Sequence, residues 1–203
     1  MWKSYLYLKN ERVEVLRFIK SYGMYNICLV PVLSILMPYV IRTQFLISPE
    51  VYGIVEGVVG GGMMIVAFLV SSFSNYFSVK TIHRWNYLMA LALLGMCAAV
   101  IFIQEKFLLT GIWAAFGAII MMTLGIGNVV ILSYTQRQIE KERLGKISAF
   151  STAAATVTVP IGQIIFGWLL DWQAAVWMVL LMVLLVSLAV TQYIKYNEQK
   201  IIE

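Results

Sequence analysis

The sequence predicts an all-α membrane protein with six transmembrane helices. Six long apolar stretches lie between residues 21 and 194, and the charged residues are almost confined to the breaks between them. Hydrophobic residues make up 61% of the chain and charged residues only 12%, with a mean hydropathy of +0.84. A soluble protein of 203 residues cannot hide so much apolar surface in its core, so we expect lipid to surround much of it.

Each apolar stretch is long enough to cross a bilayer, because about 20 helical residues rising ~1.5 Å each span a hydrocarbon core of about 30 Å. Membrane-spanning strands would alternate apolar and polar residues, whereas these stretches are apolar on all faces. Only the second stretch contains a charge, Glu56. In order, the stretches are residues 21–41, 51–79, 85–104, 107–136, 147–170 and 172–194.

The six helices repeat the same succession of characters. The first and fourth carry polar and helix-bending residues, the second and fifth are rich in small residues, and the third and sixth are almost purely aliphatic. Because three is odd, the two triplets must have opposite orientations, which makes them inverted repeats. Small residues let helix backbones approach closely, and we expect Gly57 and Gly61 to serve such packing. The polar and bending residues include Asn26, Pro31, Ser34 and Pro38 in the first helix, and Thr123, Gly125, Gly127, Asn128, Ser133 and Thr135 in the fourth.

The basic residues predict the orientation. The N-terminal segment, the second and fourth loops and the C-terminal segment hold 13 of the 15 Lys and Arg residues, and only Arg42 and Lys106 lie on the other side. Basic loops stay in the cytoplasm, so both termini of this multi-pass plasma-membrane protein are predicted to be cytoplasmic. We expect a cytoplasmic amphipathic segment at 1–22 without a cleaved signal, a six-helix bundle at 23–195 and a cytoplasmic tail at 196–203.

Several segments resemble major facilitator superfamily transporters, in particular the drug-exporter branch that includes macrolide efflux proteins. The stretch 136–148, QRQIEKERLGKIS, is similar to a cytoplasmic loop of that family, and Pro160-Ile161-Gly162 and Gly167-Trp168-Leu169-Leu170-Asp171 are similar to its following helix. Residues 52–62 and 11–20 resemble its eighth helix and its central linker. The loop at 74–84 lacks the Gly and Asp of the family signature. The resemblance covers the second half of a twelve-helix fold.

The resemblance implies a function. A six-helix half would belong to a secondary active transporter that exports amphipathic organic compounds or drugs by alternating access, driven by a proton or ion gradient. It would need an N-terminal-half chain or a second copy of itself as partner. The alternative is a non-transporting assembly partner or the inert remnant of a truncated transporter. An enzyme is not expected, since the chain has one Asp, one His and one Glu inside an apolar run. No cofactor or bound metal is expected either, and a basic cytoplasmic face explains the net charge of +5 without a nucleic-acid partner.

Four residues are candidates for substrate binding or ion coupling. Glu56 is the acidic residue well inside an apolar run, so its carboxylate must be protonated, paired or in contact with water. Near the outer interface it would simply be solvated. Arg42 is a candidate partner for Glu50 or Glu56, or an interfacial residue. Asn128 and Gln136 of the fourth helix would either contact substrate or hydrogen-bond between helices.

The charged fourth loop is the segment most similar to the family. The resemblance assigns it a conformational role through contacts between helix ends, whereas its charge alone is explained by a cytoplasmic position. Its candidate residues are Arg137, Glu142, Arg143, Gly145 and Lys146. The single histidine, His83, falls in the second loop and is expected to be solvated.

Overall fold

The computed structural model describes residues 2–73 and 76–202, and this part of the chain is almost entirely helical. A short helix, α1, precedes six long helices. The helices are α1 (Trp2–Glu11), α2 (Val13–Pro31), α3 (Pro49–Ser72), α4 (Ile82–Phe102), α5 (Lys106–Gln138), α6 (Lys141–Asp171) and α7 (Val176–Ile202). The predicted all-α fold is confirmed.

In the described part of the chain, six helical segments are long and apolar enough to cross a membrane, as the sequence predicted. The first combines α2 with the π-helical segments Val32–Leu36 and Tyr39–Gln44. Each π segment follows a proline, Pro31 or Pro38, whose missing N–H interrupts the α-helical ladder. The segments are Val13–Gln44, Pro49–Val70, Val79–Phe102, Lys106–Gln138, Lys141–Asp171 and Val176–Gln199.

The helices pack with two-fold pseudo-symmetry. Helix α3 packs on α5 as α6 packs on α2, and α4 packs on α5 as α7 packs on α2. Across the pseudo-axis α4 contacts α7, and α2 contacts α5. Exchanging helices α2 to α4 with helices α5 to α7 reproduces all these pairs. The two triplets are therefore inverted repeats and form a bundle like one half of a major facilitator transporter.

Two glycines lie directly against the backbone of a neighbouring helix. A Cβ atom at Gly62 would overlap the backbone carbonyl of Ala118 in α5, and one at Gly162 would overlap the backbone carbonyl of Ile27 in α2. Gly57 and Gly61, for which packing was expected, have no neighbour within 4 Å of a built Cβ, because they lie on an open side of α3. Packing through a small residue is confirmed for α3 at Gly62, whereas for Gly57 and Gly61 it stays a prediction, since no described residue covers them.

Both described chain ends lie on the same side of the bundle, which we call the terminal face. The Arg17 Nη1 atom near the start of α2 donates to Asn197 Oδ1 near the end of α7 at 3.1 Å. The start of the bundle also packs on the fourth loop, because Leu8 and Leu16 share an apolar cluster with Ile147. Residues 13–22 belong to α2, and α7 continues to Ile202. The membrane side of the terminal face stays a prediction.

Helices α3 and α6 lack neighbours on broad faces. In the most apolar stretch of each helix, 11% of the α6 residues and 24% of the α3 residues are buried, compared with 50% for α5. The two helices occupy equivalent positions in the inverted repeats. The described chain therefore leaves one pseudo-symmetric pair of helices largely uncovered.

Candidate functional site

A small cavity of about 70 Å³ lies between α2, α5 and α6. Each of the three helices contributes uncharged polar side chains to its wall, and none of the described residues that line it is charged. Such a lining can hydrogen-bond to a neutral polar group but offers no fixed charge for an ion. The polar lining residues are Tyr22 and Asn26 from α2, Asn128 and Thr135 from α5, and Ser148 and Ser151 from α6.

Close helix packing positions the cavity walls. A Cβ atom at Gly127 would overlap the ring of Tyr22, so this glycine makes room for the tyrosine at the α2–α5 contact. On the opposite wall, Asn26 Nδ2 donates to the carbonyl oxygen of Ala155 in α6 at 3.5 Å. Thr158 Oγ1 donates to the same oxygen at 2.7 Å. The cavity therefore lies between the contact of Tyr22 with Gly127 and the hydrogen bonds to the Ala155 carbonyl.

The Tyr22 hydroxyl and Asn86 Nδ2 of α4 are both buried, and neither makes a well-aligned hydrogen bond to another described group. The two groups interact with each other. Buried polar groups in folded proteins are nearly always paired, so this tyrosine–asparagine contact joins the cavity wall to α4.

A second polar cluster connects α7 to α2 and α4 near the terminal face. The Tyr25 hydroxyl and Thr191 Oγ1 are 2.8 Å apart. The Glu198 carboxylate, with a side chain only 4% exposed, contacts His83 Nδ1 and accepts from the His83 backbone N–H at 3.1 Å. The expectation of a solvated His83 is wrong, because the histidine lies in the first turn of α4 and packs on α7.

The structure separates the candidate charges from the polar cavity. Glu56 is exposed on α3, where it interacts with the Tyr52 hydroxyl one turn earlier. Helices α3 and α5 run in the same direction and touch where Gly62 meets Ala118. Glu56 lies six residues before Gly62 on α3, and Asn128 lies ten residues after Ala118 on α5. The two side chains are thus about 24 Å apart along the helix axes.

Arg42 stabilises the turn between α2 and α3. Its Nη1 atom donates to the carbonyl oxygen of Ile47, and its charge also attracts the exposed carboxylate of Glu50. Arg42 and Glu56 therefore belong to the end of the bundle opposite the terminal face. The structure does not bring them together with Asn128 and Gln136.

The remaining candidates lie towards the terminal face. Asn128 lines the polar cavity, while Gln136 is exposed two turns further along α5 and is not part of the cavity lining. In the fourth loop, Arg143 pairs with Glu140 at 3.5 Å and lies 4.5 Å from the ring centroid of Tyr7. The other loop candidates, Arg137, Glu142, Gly145 and Lys146, are exposed. Of the divergent second loop, Ser74 and Asn75 lie outside the described residues.

The spacing of polar residues along α2 and α6 could have predicted Tyr22, Asn26, Ser148 and Ser151 as neighbours of the cavity, although they were not among the predicted site residues. Tyr22 and Asn26 are four residues apart, and Ser148 and Ser151 are three apart, so each pair shares one helix face. A polar pair on one face of an otherwise apolar helix marks the side that avoids lipid. No comparable signal joins His83 to Glu198, since the two are 115 residues apart.

Comparison with known families agrees with this architecture. A family model for the Major Facilitator Superfamily matches residues 18–200, nearly the whole chain and most of its six spans. The chain belongs to the Major Facilitator Superfamily. Major facilitator proteins are multi-pass membrane transporters of small molecules and not enzymes, so the six helices form part of a transporter fold. Searches of curated proteins and of solved structures give no significant match.

Proposed function

We propose that this major facilitator chain forms one half of a secondary active transporter that exports amphipathic organic compounds. The observation that carries the proposal is the set of uncharged polar side chains that α2, α5 and α6 contribute to one cavity. With a volume of about 70 Å³, the cavity holds only a small polar group. The apolar remainder of the compound would lie in the larger space that a second bundle closes, because a few hydrogen-bonding groups within apolar walls suit a mainly apolar molecule. Export of drug-like compounds rests on the resemblance of residues 136–171 to the macrolide-efflux branch.

Alternating access requires a second bundle, because a cavity wall on one half must be closed by the other. The open faces of α3 and α6 support such a partner. On α3, no described residue lies within 4 Å of the position that a Cβ would take at Gly53, Gly57 or Gly60. These glycines can receive a partner helix, because small residues favour close helix association in membranes. We propose that an N-terminal-half bundle or a second copy of this chain covers these faces.

The candidate residues receive separate roles in this proposal. Asn128 contacts substrate in the cavity. Gln136, two turns further along the exposed side of α5, is the next polar contact for substrate towards the terminal face, and we call the line from Asn128 to Gln136 the polar path. Glu56, on the open face of α3, exchanges the coupling proton or ion, and Arg42 supports the turn before it. The fourth loop changes its contacts between helix ends, with both termini in the cytoplasm.

Drug accumulation in cells tests the proposal. The chain is expressed alone, together with an N-terminal-half bundle, or not at all, and uptake of fluorescent and macrolide-like compounds is measured at matched expression. Lower accumulation with the chain alone indicates a self-assembled transporter, and lower accumulation only with the second bundle indicates a two-part transporter. Unchanged accumulation in both cases contradicts the proposal and favours a non-transporting assembly partner or an inert remnant.

The cavity needs its own control in the same assay. Asn128→Ala should raise accumulation, because it removes a polar group from the cavity wall. The matched substitution Asn10→Ala changes an exposed asparagine of α1 that lies outside the cavity. Equal effects of the two substitutions would contradict the assignment of substrate to this cavity.

A further inference from the structure

A larger groove lies on another side of α2, between α1, α6 and α7. Its volume is about 720 Å³, within the range of roughly 300–1,000 Å³ that is typical of small-molecule sites. The groove is open to the outside, and aliphatic and aromatic side chains make up most of its wall. Among those residues are Leu16, Met24 and Ile27 from α2, Phe150 from α6, and Val186 and Val190 from α7.

One charged residue, Lys20, lines this groove in the described structure. Its amine lies 5.6 Å from the ring centroid of Tyr5, so α1 covers the end of the groove that carries the charge. Phe150 lines both this groove and a surface cleft whose wall includes Lys3 and Lys146. A further cleft shares both lysines and adds Arg143. Among the described residues, the charged side chains that line the groove and the two clefts are therefore all basic.

The basic residues lie at the level of the membrane interface. Lys20 and Lys146 are the last charged residues before the apolar runs of α2 and α6, and Lys195 is the first charged residue after the apolar run of α7. The groove continues from that level along the apolar runs, into the depth of the hydrocarbon core. Its mouth is thus cationic and interfacial, while its body is apolar and faces acyl chains.

We propose that this groove is a binding site for an anionic glycerophospholipid. One acyl chain lies along α2, α6 and α7, and the phosphate contacts the amines of Lys20, Lys3 and Lys146. Basic pockets between transmembrane helices bind anionic headgroups in this way. A cationic headgroup is disfavoured because, among the described residues, no carboxylate lines the groove or the cleft beside Phe150. The assignment is independent of whether the chain transports a substrate.

Native mass spectrometry of the full purified chain tests the proposal. The protein is titrated with phosphatidylglycerol and with phosphatidylcholine of identical acyl chains. We expect tighter binding of phosphatidylglycerol and a loss of about fivefold in its affinity for Lys20→Gln, the contribution of one interfacial lysine. Lys20→Arg should keep the preference. Lys9→Gln, which removes an exposed lysine outside the groove, should change it little.

Two further measurements separate the lipid from other sources of binding. Ala154→Trp places an indole in the groove wall and should weaken binding of both lipids, and circular dichroism checks that the variant is folded. Glycerol phosphate, the headgroup chemistry without acyl chains, should not displace the lipid at equal concentration. Equal binding of the two lipids, equal losses for Lys20→Gln and Lys9→Gln, or displacement by glycerol phosphate would overturn the proposal.

Discussion

Gly162 of α6 lies directly against the backbone carbonyl of Ile27 in α2. The inverted repeat reproduces this relationship at Gly62 of α3, which lies against the carbonyl of Ala118 in α5. Because the facing atoms belong to the backbone, no side-chain rotation can make room for a larger residue. The α2–α6 contact, and with it one wall of the polar cavity, depends on the missing Cβ at position 162.

Gly162→Ala should therefore destabilise the isolated chain, by about 1–3 kcal/mol as for other overpacked sites. The control is Gly167→Ala on the same helix, because no described residue lies within 4 Å of the position that a Cβ would take there. That substitution should leave stability unchanged or raise it, since alanine favours helices by up to about 1 kcal/mol over glycine. Thermal unfolding in detergent measures both. Equal unfolding temperatures for the two variants would contradict the close contact.

The Glu198 carboxylate acts as a cap for α4 that is supplied by another helix. It accepts the His83 N–H in the first turn of α4, where the backbone donors have no partner within the helix. Glu198→Ala should lower the stability by about 0.5–2 kcal/mol, the typical effect of losing a helix cap. Gln199→Ala, at the exposed neighbouring position, should have little effect. Chemical unfolding followed by tryptophan fluorescence compares the variants.

Much of the fold follows from composition and charge. The uncharged runs predict the six spans, because a charged side chain in the hydrocarbon core costs free energy wherever it lies along the helix. The six predicted spans agree with the structure. The alternation of helix character predicts the inverted repeat. The individual contacts are less predictable. Small residues occupy several sides of α3, and the sequence does not indicate that Gly62, rather than Gly57 or Gly61, faces α5.

The candidate site was predictable only where a polar residue interrupts an apolar helix. Asn128 satisfies that condition and lines the cavity. Glu56 satisfies it too, but it lies on the open side of α3. Its position within the helix could not predict this, because the sequence does not show on which side the neighbouring helices lie. Glu198 was missed, since it follows the last apolar run and resembles a tail residue. Its burial depends on His83, a contact that only the folded chain creates.

The hydroxyl of Tyr22 should contribute to substrate affinity. Tyr22→Phe removes a hydroxyl from a residue that lines the cavity, so we expect a KM higher by about two- to tenfold if substrate contacts the hydroxyl. The protein should also lose stability, by about 1–3 kcal/mol, because the buried amide of Asn86 loses its contact with the hydroxyl. Transport kinetics and thermal unfolding on the same preparations give both readouts. Unchanged KM would exclude the hydroxyl from substrate binding.

Gly127 offers a second test of the same cavity. Gly127→Ala forces the Tyr22 ring to move, because the added Cβ would overlap it, and transport should fall. Gly111→Ala, on the same helix with open space around it, serves as the control. If Tyr22→Phe and Gly127→Ala affect transport through the same ring, their effects should be less than additive in the double variant.

Glu56→Gln should abolish transport that is driven by a pH gradient, because an amide cannot take up and release the coupling proton. Transport of substrate down its own gradient should persist, since the substrate cavity is about 24 Å away along the helix axes. Glu50→Gln, which changes an exposed carboxylate in the first turn of α3, is the control. Reconstituted vesicles with an imposed pH gradient provide the measurement. Full pH-driven transport by Glu56→Gln would rule out its coupling role.

The proposed orientation places the fourth loop in the cytoplasm and the turn before α5 outside the cell. Gln104→Cys and Glu142→Cys, both at exposed positions, report on the two sides after Cys28 and Cys97 are replaced by alanine. A membrane-impermeant thiol reagent should label position 104 in intact cells and position 142 only after permeabilisation. The reverse pattern would mean that the 13 basic residues on the terminal side face outwards, against the positive-inside rule. It would also reverse the direction assigned to the polar path from Asn128 towards Gln136.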